Sequence, residues 1–131
     1  MIGKPNREGF GNVTPYLILA DAQPFKLFLE QAFGAAETYR TLGAGGGFHI
    51  EFLIGDSRIM VGETGTTGQP TNLFLYVADA RSVFQAAIAS GAQAIMEPEE
   101  GRFGEQVGAA VRDPAGNSWF IGEHGPGSTT S

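Results

Sequence analysis

The chain has 131 residues, a formal charge of −6, eight Lys and Arg against fourteen Asp and Glu, and no cysteine. Its length fits one domain, residues 1–131, with a sizeable core. The acidic balance and the scattered basic residues argue against broad nucleic-acid or anionic-membrane binding. The missing cysteines exclude disulfides, thiolate metal sites and a cysteine nucleophile. With no apolar leader and no stretch of spanning length, a cytoplasmic protein is expected.

Residues 1–11 are polar and glycine-rich and read as a loose arm. Residues 13–20 are apolar and branched, as a strand requires. Asp21 is placed to cap a helix and Pro24 suits its first turn. Phe25, Phe28, Leu29, Ala32 and Phe33 then recur at helical spacing, and Gly34 stops the run. Residues 37–42 and 48–54 read as strands joined across the turn at Gly45-Gly46-Gly47. Gly55-Asp56 turns the chain into a fourth strand, residues 58–62. Residues 64–71 have linker composition.

The same order then returns. Leu17-Ile18-Leu19-Ala20-Asp21 reappears as Leu75-Tyr76-Val77-Ala78-Asp79, and Gly55-Asp56-Ser57 as Gly116-Asn117-Ser118. Residues 72–78 form a strand, 80–90 a helix with Val83, Phe84, Ala87 and Ile88 on its apolar stripe, and 93–96 another strand. Residues 97–106 read as a charged loop, 107–112 and 118–123 as a closing hairpin, and 125–131 as a disordered tail. Repetition fixes architecture before any single residue is interpreted. The fold class is α+β, with tandem βαβββ repeats at about residues 12–63 and 72–124. They form a curved mixed sheet around a cleft, with helices on its outer face.

Alternation along the strands sorts side chains by face. Val13, Leu17 and Leu19, then Phe48, Ile50 and Phe52, then Leu73, Leu75 and Val77 belong under the helices. So do Trp119 and Ile121, and an indole N–H there needs a partner. The opposite face collects Thr14, Tyr16, Ile18, His49, Glu51, Asn72, Phe74, Tyr76 and Phe120. Water does not favour Tyr16, Phe74 and Phe120, whereas a cleft that holds an organic ligand does. Those aromatics either line such a pocket or fill the cleft themselves. Phe103 is either a lid over the cleft or an anchor for its loop.

His49 and Glu51 share one strand face. They form either a catalytic acid/base pair in the cleft or a polar face that meets solvent. If Gly55 matches Gly116, Arg112 corresponds to Glu51, and the two either fix a polar ligand or form a partly exposed ion pair. His124, at a strand end, reads as solvated, and the Glu97, Glu99 and Glu100 run as a solvent loop. No acyl-transfer, Walker or dinucleotide motif is present.

The segment Phe103-Gly104-Glu105-Gln106 followed by Asp113-Pro114-Ala115-Gly116-Asn117-Ser118-Trp119, closing a second βαβββ unit, resembles the vicinal oxygen chelate superfamily of glyoxalase I, bleomycin-resistance proteins and extradiol dioxygenases. It is most similar to that superfamily's small glyoxalase-like branch. The resemblance implies four metal-ligand positions, on the first and fourth strand of each half. Here they fall on Thr14, Ile59 or Met60, Asn72 and Phe120, which lack the donors a divalent metal needs. No cofactor is therefore expected, although a divalent metal is not excluded. Relatives in this branch often carry Arg where Gln106 stands, so Gln106 joins the candidate ligand contacts.

Two functions follow as expectations. The first is metal-free binding of a small, drug-like molecule by Thr14, Tyr16, Asn72, Phe74, Tyr76, Phe103, Gln106, Arg112 and Phe120. The second is a lyase or isomerase acting on a small oxygenated substrate through His49 and Glu51. The superfamily commonly pairs chains, so a homodimer is expected.

Overall fold

The computed structural model describes residues 2–3 and 5–129. In chain order it contains β1 (Tyr16–Leu19), α1 (Gln23–Phe33), β2 (Ala36–Leu42), β3 (Phe48–Ile54), β4 (Ser57–Glu63) and β5 (Asn72–Tyr76). It continues through α2 (Ala80–Ala89), β6 (Gln93–Glu100), a 3-10 turn (Arg102–Gly104), β7 (Val107–Arg112) and β8 (Ser118–Glu123). This is the α+β tandem βαβββ arrangement. The strands make two four-stranded sheets, β1-β4-β3-β2 and β5-β8-β7-β6, rather than a single one. In each half the first strand runs parallel to the fourth, and the other pairs are antiparallel.

Local chemistry sets the helix ends. Pro24 sits in the first turn of α1, and Gly34 ends that helix in the left-handed region at φ 67°, where a residue without Cβ is unstrained. Asp21 is not the cap: Ala22 holds that place. Its N–H donates to Glu63 Oε2 at 2.8 Å, and Asp21 accepts instead from Gln23 N–H. In the second half Asp79 does cap α2, accepting from Ser82 N–H at 3.1 Å. Glu123 Oε1 accepts from Ala80 N–H at 3.0 Å. Each half thus ties its helix start to the carboxylate that ends its fourth strand, which supplies an acceptor to a donor the helix leaves unpaired.

Alternation holds where the core is. Leu17, Leu19, Ile50, Phe52, Val61, Trp119 and Ile121 are buried in one cluster that includes Phe25, Phe28, Leu29, Phe84 and Ala87. Phe33 and Trp119, 4.9 Å apart between ring centroids, join the halves. Three expected core residues fail. Val13 precedes β1 and is 89% exposed, Phe48 lies at a sheet margin under the Arg40 guanidinium, and Ile88 is exposed on α2. The alternating pattern is blind to where a strand ends.

Both termini and one loop differ from expectation. Residues 97–100 extend β6 rather than opening a loop, because an edge strand tolerates Pro98 and charged side chains. The tail docks through Thr129, whose N–H donates to the Gly104 carbonyl at 2.8 Å; residues 130–131 lie outside the described residues. The N-terminal arm is also held. Arg58 Nε donates to the Gly9 carbonyl at 3.0 Å, and Phe10 sits between the Arg7 and Arg58 guanidiniums. Met1 and Lys4, also part of the expected arm, are outside the described residues.

Candidate functional site

Strand register builds two open faces, one on each sheet opposite the helices. On the first, Tyr16 pairs with Met60, Met60 with Glu51, and Glu51 with Tyr39, giving one row across all four strands. The next row is Ile18, Gly62, His49 and Thr41. On the second face the matching rows are Phe74, Phe120, Ala110 and Met96, then Tyr76, Gly122, Gly108 and Glu99. The register therefore makes Met60, not Ile59, the equivalent of Phe120; Ile59 is buried in the core. It also makes Ala110, not Arg112, the equivalent of Glu51. Arg112 is exposed and forms no pair with Glu51.

Glycines allow aromatic rings to lie flat on each face. A Cβ on Gly62 would stand 2.8 Å from the Tyr16 hydroxyl, and one on Gly122 would stand 2.7 Å from Phe74. Gly108 similarly admits the turn that carries Phe103, since a Cβ there would meet the Arg102 carbonyl at 2.7 Å. Phe103 itself has φ 62°, a conformation that costs energy for a residue with a side chain. It is held by edge contacts with Phe74 and Phe120 at centroid distances of 5.8 and 5.6 Å. Phe103 is thus both loop anchor and cover for the second face. Tyr16 and Tyr76 remain 52% and 59% exposed.

A buried carboxylate sits in each half. Glu51 is 2% exposed and accepts from Arg7 Nη2 at 2.5 Å. It also accepts from His49 Nε2 at 2.8 Å. An ionised carboxylate only accepts, so a hydrogen lies on Nε2, and Nδ1 stands 3.3 Å from the Tyr16 hydroxyl. Burial pushes the Glu51 carboxyl up, but the hydrogen bonds from His49 and Arg7 outweigh it and hold it below the ordinary glutamate range. His49, Glu51 and Tyr16 are therefore brought together, with both His49 ring nitrogens engaged.

The second carboxylate, Glu105, is also 2% exposed. It accepts from the Tyr76 hydroxyl and from His124 Nδ1, the latter at 2.7 Å, with Ser128 Oγ at 3.3 Å. The Tyr76 bond, then the His124 bond, holds Glu105 below the ordinary range against burial, and the same bond raises the Tyr76 phenol. His124 is not merely solvated. Glu105 engages Nδ1, while Nε2 of this half-exposed side chain has no partner among the described residues. Alternation carried two residues past Gly122 would have placed His124 on this face, and Glu105 lies inside the motif that carries the family resemblance.

The remaining candidates are dispersed. Thr14 and Phe74 line a hollow of about 370 Å³ at the junction of the halves, with Ile54, Arg58 and Trp119; His49 and Glu51 are not in it. Asn72 opens β5 and is exposed. Gln106 is engaged by the tail, its Oε1 accepting from Gly127 N–H at 2.5 Å.

A family-model match spans residues 10–121 and bears the description Glyoxalase/Bleomycin resistance protein/Dioxygenase superfamily. The chain belongs to that superfamily. Among curated proteins none matches by sequence. Solved structures share the fold. TioX from Micromonospora sp. ML1 is similar at 21% identity and TM-score 0.68, over 86% of this chain and 95% of that one. The fosfomycin resistance protein FosX from Listeria monocytogenes gives 18% and 0.69, over 88% and 94%. A glyoxalase I variant from Zea mays gives 12% and 0.69, over 81% of this chain and 42% of that one. Projected by the resemblance, the superfamily's metal positions correspond to Thr14, Met60, Asn72 and Phe120, with strand register selecting Met60. A hydroxyl, a thioether, an amide and a phenyl ring do not fit a hard or borderline divalent cation. No group of three His, Asp or Glu suited to a metal exists among the described residues.

Proposed function

We propose that this superfamily member binds a flat, drug-like small molecule without a metal, using its two open sheet faces. The observation that carries this reading is the half-exposed aromatic set of Tyr16, Phe74 and Tyr76. Tyr16 stands on the first open face and Phe74 and Tyr76 on the second, beside projected metal positions that lack suitable donors. Aromatic rings stack on conjugated ligands, and binding alone gives protection by mass action. The proposal includes a cytoplasmic homodimer, because β2 is a largely exposed edge strand whose free backbone groups suit pairing with a second chain. Calorimetric titration with a panel of planar antibiotics tests the binding; a uniformly flat response overturns it. Light scattering should give twice the chain mass.

A specific observation favours a second reading, an isomerase or lyase of a small oxygenated compound. His124, oriented by Glu105, presents an unpartnered Nε2 beside Tyr76. Such a nitrogen can take a proton from a carbon acid while the carboxylate stabilises the imidazolium formed. Turnover of 2-hydroxycarbonyl compounds that is lost in His124→Gln would support it.

A further inference from the structure

We propose that the first sheet face is a binding site for an organic cation, and that Arg7 is its resident occupant, displaced when the ligand binds. This rests on the reading that the sheet faces take small molecules.

Glu51 lies on β3, an interior strand, and its carboxylate is almost completely removed from water. Burying an ionised carboxylate is unfavourable unless cationic or hydrogen-bonding partners replace the lost hydration. The sheet itself supplies one partner, the N–H of His49. The cation comes from elsewhere, on an arm that crosses the face from residues before β1. Arg7 is unlike its carboxylate: its side chain is 54% exposed while that of Glu51 is 3%. Its guanidinium lies 5.6 Å from the Tyr39 ring centroid and 4.5 Å from that of Phe10. A planar cation is thus held between aromatic rings with one edge on a buried carboxylate.

Those are the elements by which proteins recognise guanidinium, amidinium and ammonium groups. The fixed parts, Glu51, His49, Tyr39 and Tyr16, belong to the sheet. The replaceable parts, Arg7 and Phe10, belong to the arm, which is tied to the sheet by Arg7 itself and by the Arg58 contact with Gly9 and Phe10. An internal competitor lowers apparent affinity by the fraction of time the site is open. Removing Arg7 should therefore expose a site whose charge and shape match the group removed.

Benzamidinium, a flat aromatic amidinium, is the probe. Its titration into Arg7→Ala, followed by calorimetry and NMR, should show binding about tenfold tighter than to the wild-type protein. Adding Glu51→Gln should abolish the gain. Neutral benzamide should bind neither. If Arg7→Ala does not fold, Arg7→Gln keeps a hydrogen bond to Glu51 without the charge and is titrated instead. A folded Arg7 variant that gains no benzamidinium affinity, or takes benzamide equally well, overturns the proposal. The antibiotic panel separates the two readings. Panel binding to the wild type with no gain in the Arg7 variant refutes the cation site alone. A flat panel with a clear gain refutes the drug-sequestering role alone.

Discussion

Trp119 Nε1 donates to Asp113 Oδ2 at 2.8 Å, deep under the second sheet, where both residues are buried. The other carboxylate oxygen accepts from Ala115 N–H at 2.8 Å and Asn117 N–H at 3.1 Å. The turn between β7 and β8 and the core indole are therefore fastened by one carboxylate. Burial pushes the Asp113 carboxyl up, against the opposing pull of these three donors. Asp113→Ala leaves buried donors without an acceptor, each costing about 1–3 kcal/mol. We expect Asp113→Ala to lose about 3 kcal/mol and Trp119→Phe about 1–2 kcal/mol in urea unfolding. Near-equal losses would show that the indole bond dominates the turn.

Glu51 should make stability depend on acid. Its folded-state pKa lies below the ordinary value of 4.5. The ionised form is favoured by folding, so its contribution is fully present above about 4.5 and fades as pH falls through the lower folded value. Glu51→Gln should be less stable than wild type at pH 7 by about 1–3 kcal/mol, the scale of hydrogen bonds to a buried charged group. The gap should close progressively below pH 4.5. Urea midpoints of the two proteins across pH 3–7 measure it, and a gap that widens in acid contradicts the assignment.

Gly108→Ala should unseat the turn that carries Phe103. The added Cβ meets a backbone carbonyl, which cannot rotate away. Overpacking of this kind costs about 1–3 kcal/mol. Increased proteolysis between Gly101 and Gln106 should accompany the loss. Gly62→Ala presses on the tip of Tyr16 instead and should cost less, because that ring can swing outward.

Divalent metals should leave this protein indifferent. Thr14, Met60, Asn72 and Phe120 offer no set that grips manganese, nickel or zinc, so adding any of them should not shift the unfolding midpoint. Stoichiometric metal in the purified protein, removed by chelator with loss of stability, would contradict this.

The repeat, the helix stripes and the burial of Leu17, Ile50, Phe52 and Trp119 were legible in the sequence because periodicity is local and the face under a helix must be apolar. The cleft-facing sides of His49, Tyr16 and Phe74 followed from the same alternation. Correspondence between the halves needs hydrogen-bond register: the turn motifs align Arg112 with Glu51, where register puts Ala110. A residue's equivalent depends on strand offsets that turn motifs do not encode. The partners of the buried carboxylates are further still from local pattern. Arg7 reaches Glu51 across 44 positions and His124 reaches Glu105 across 19. Sequence alone determined the architecture and the aromatic character of the open faces, through propensity and polarity. Only tertiary structure decided which groups meet there, because a buried charge is satisfied by whatever distant donor the folded chain brings within about 3 Å.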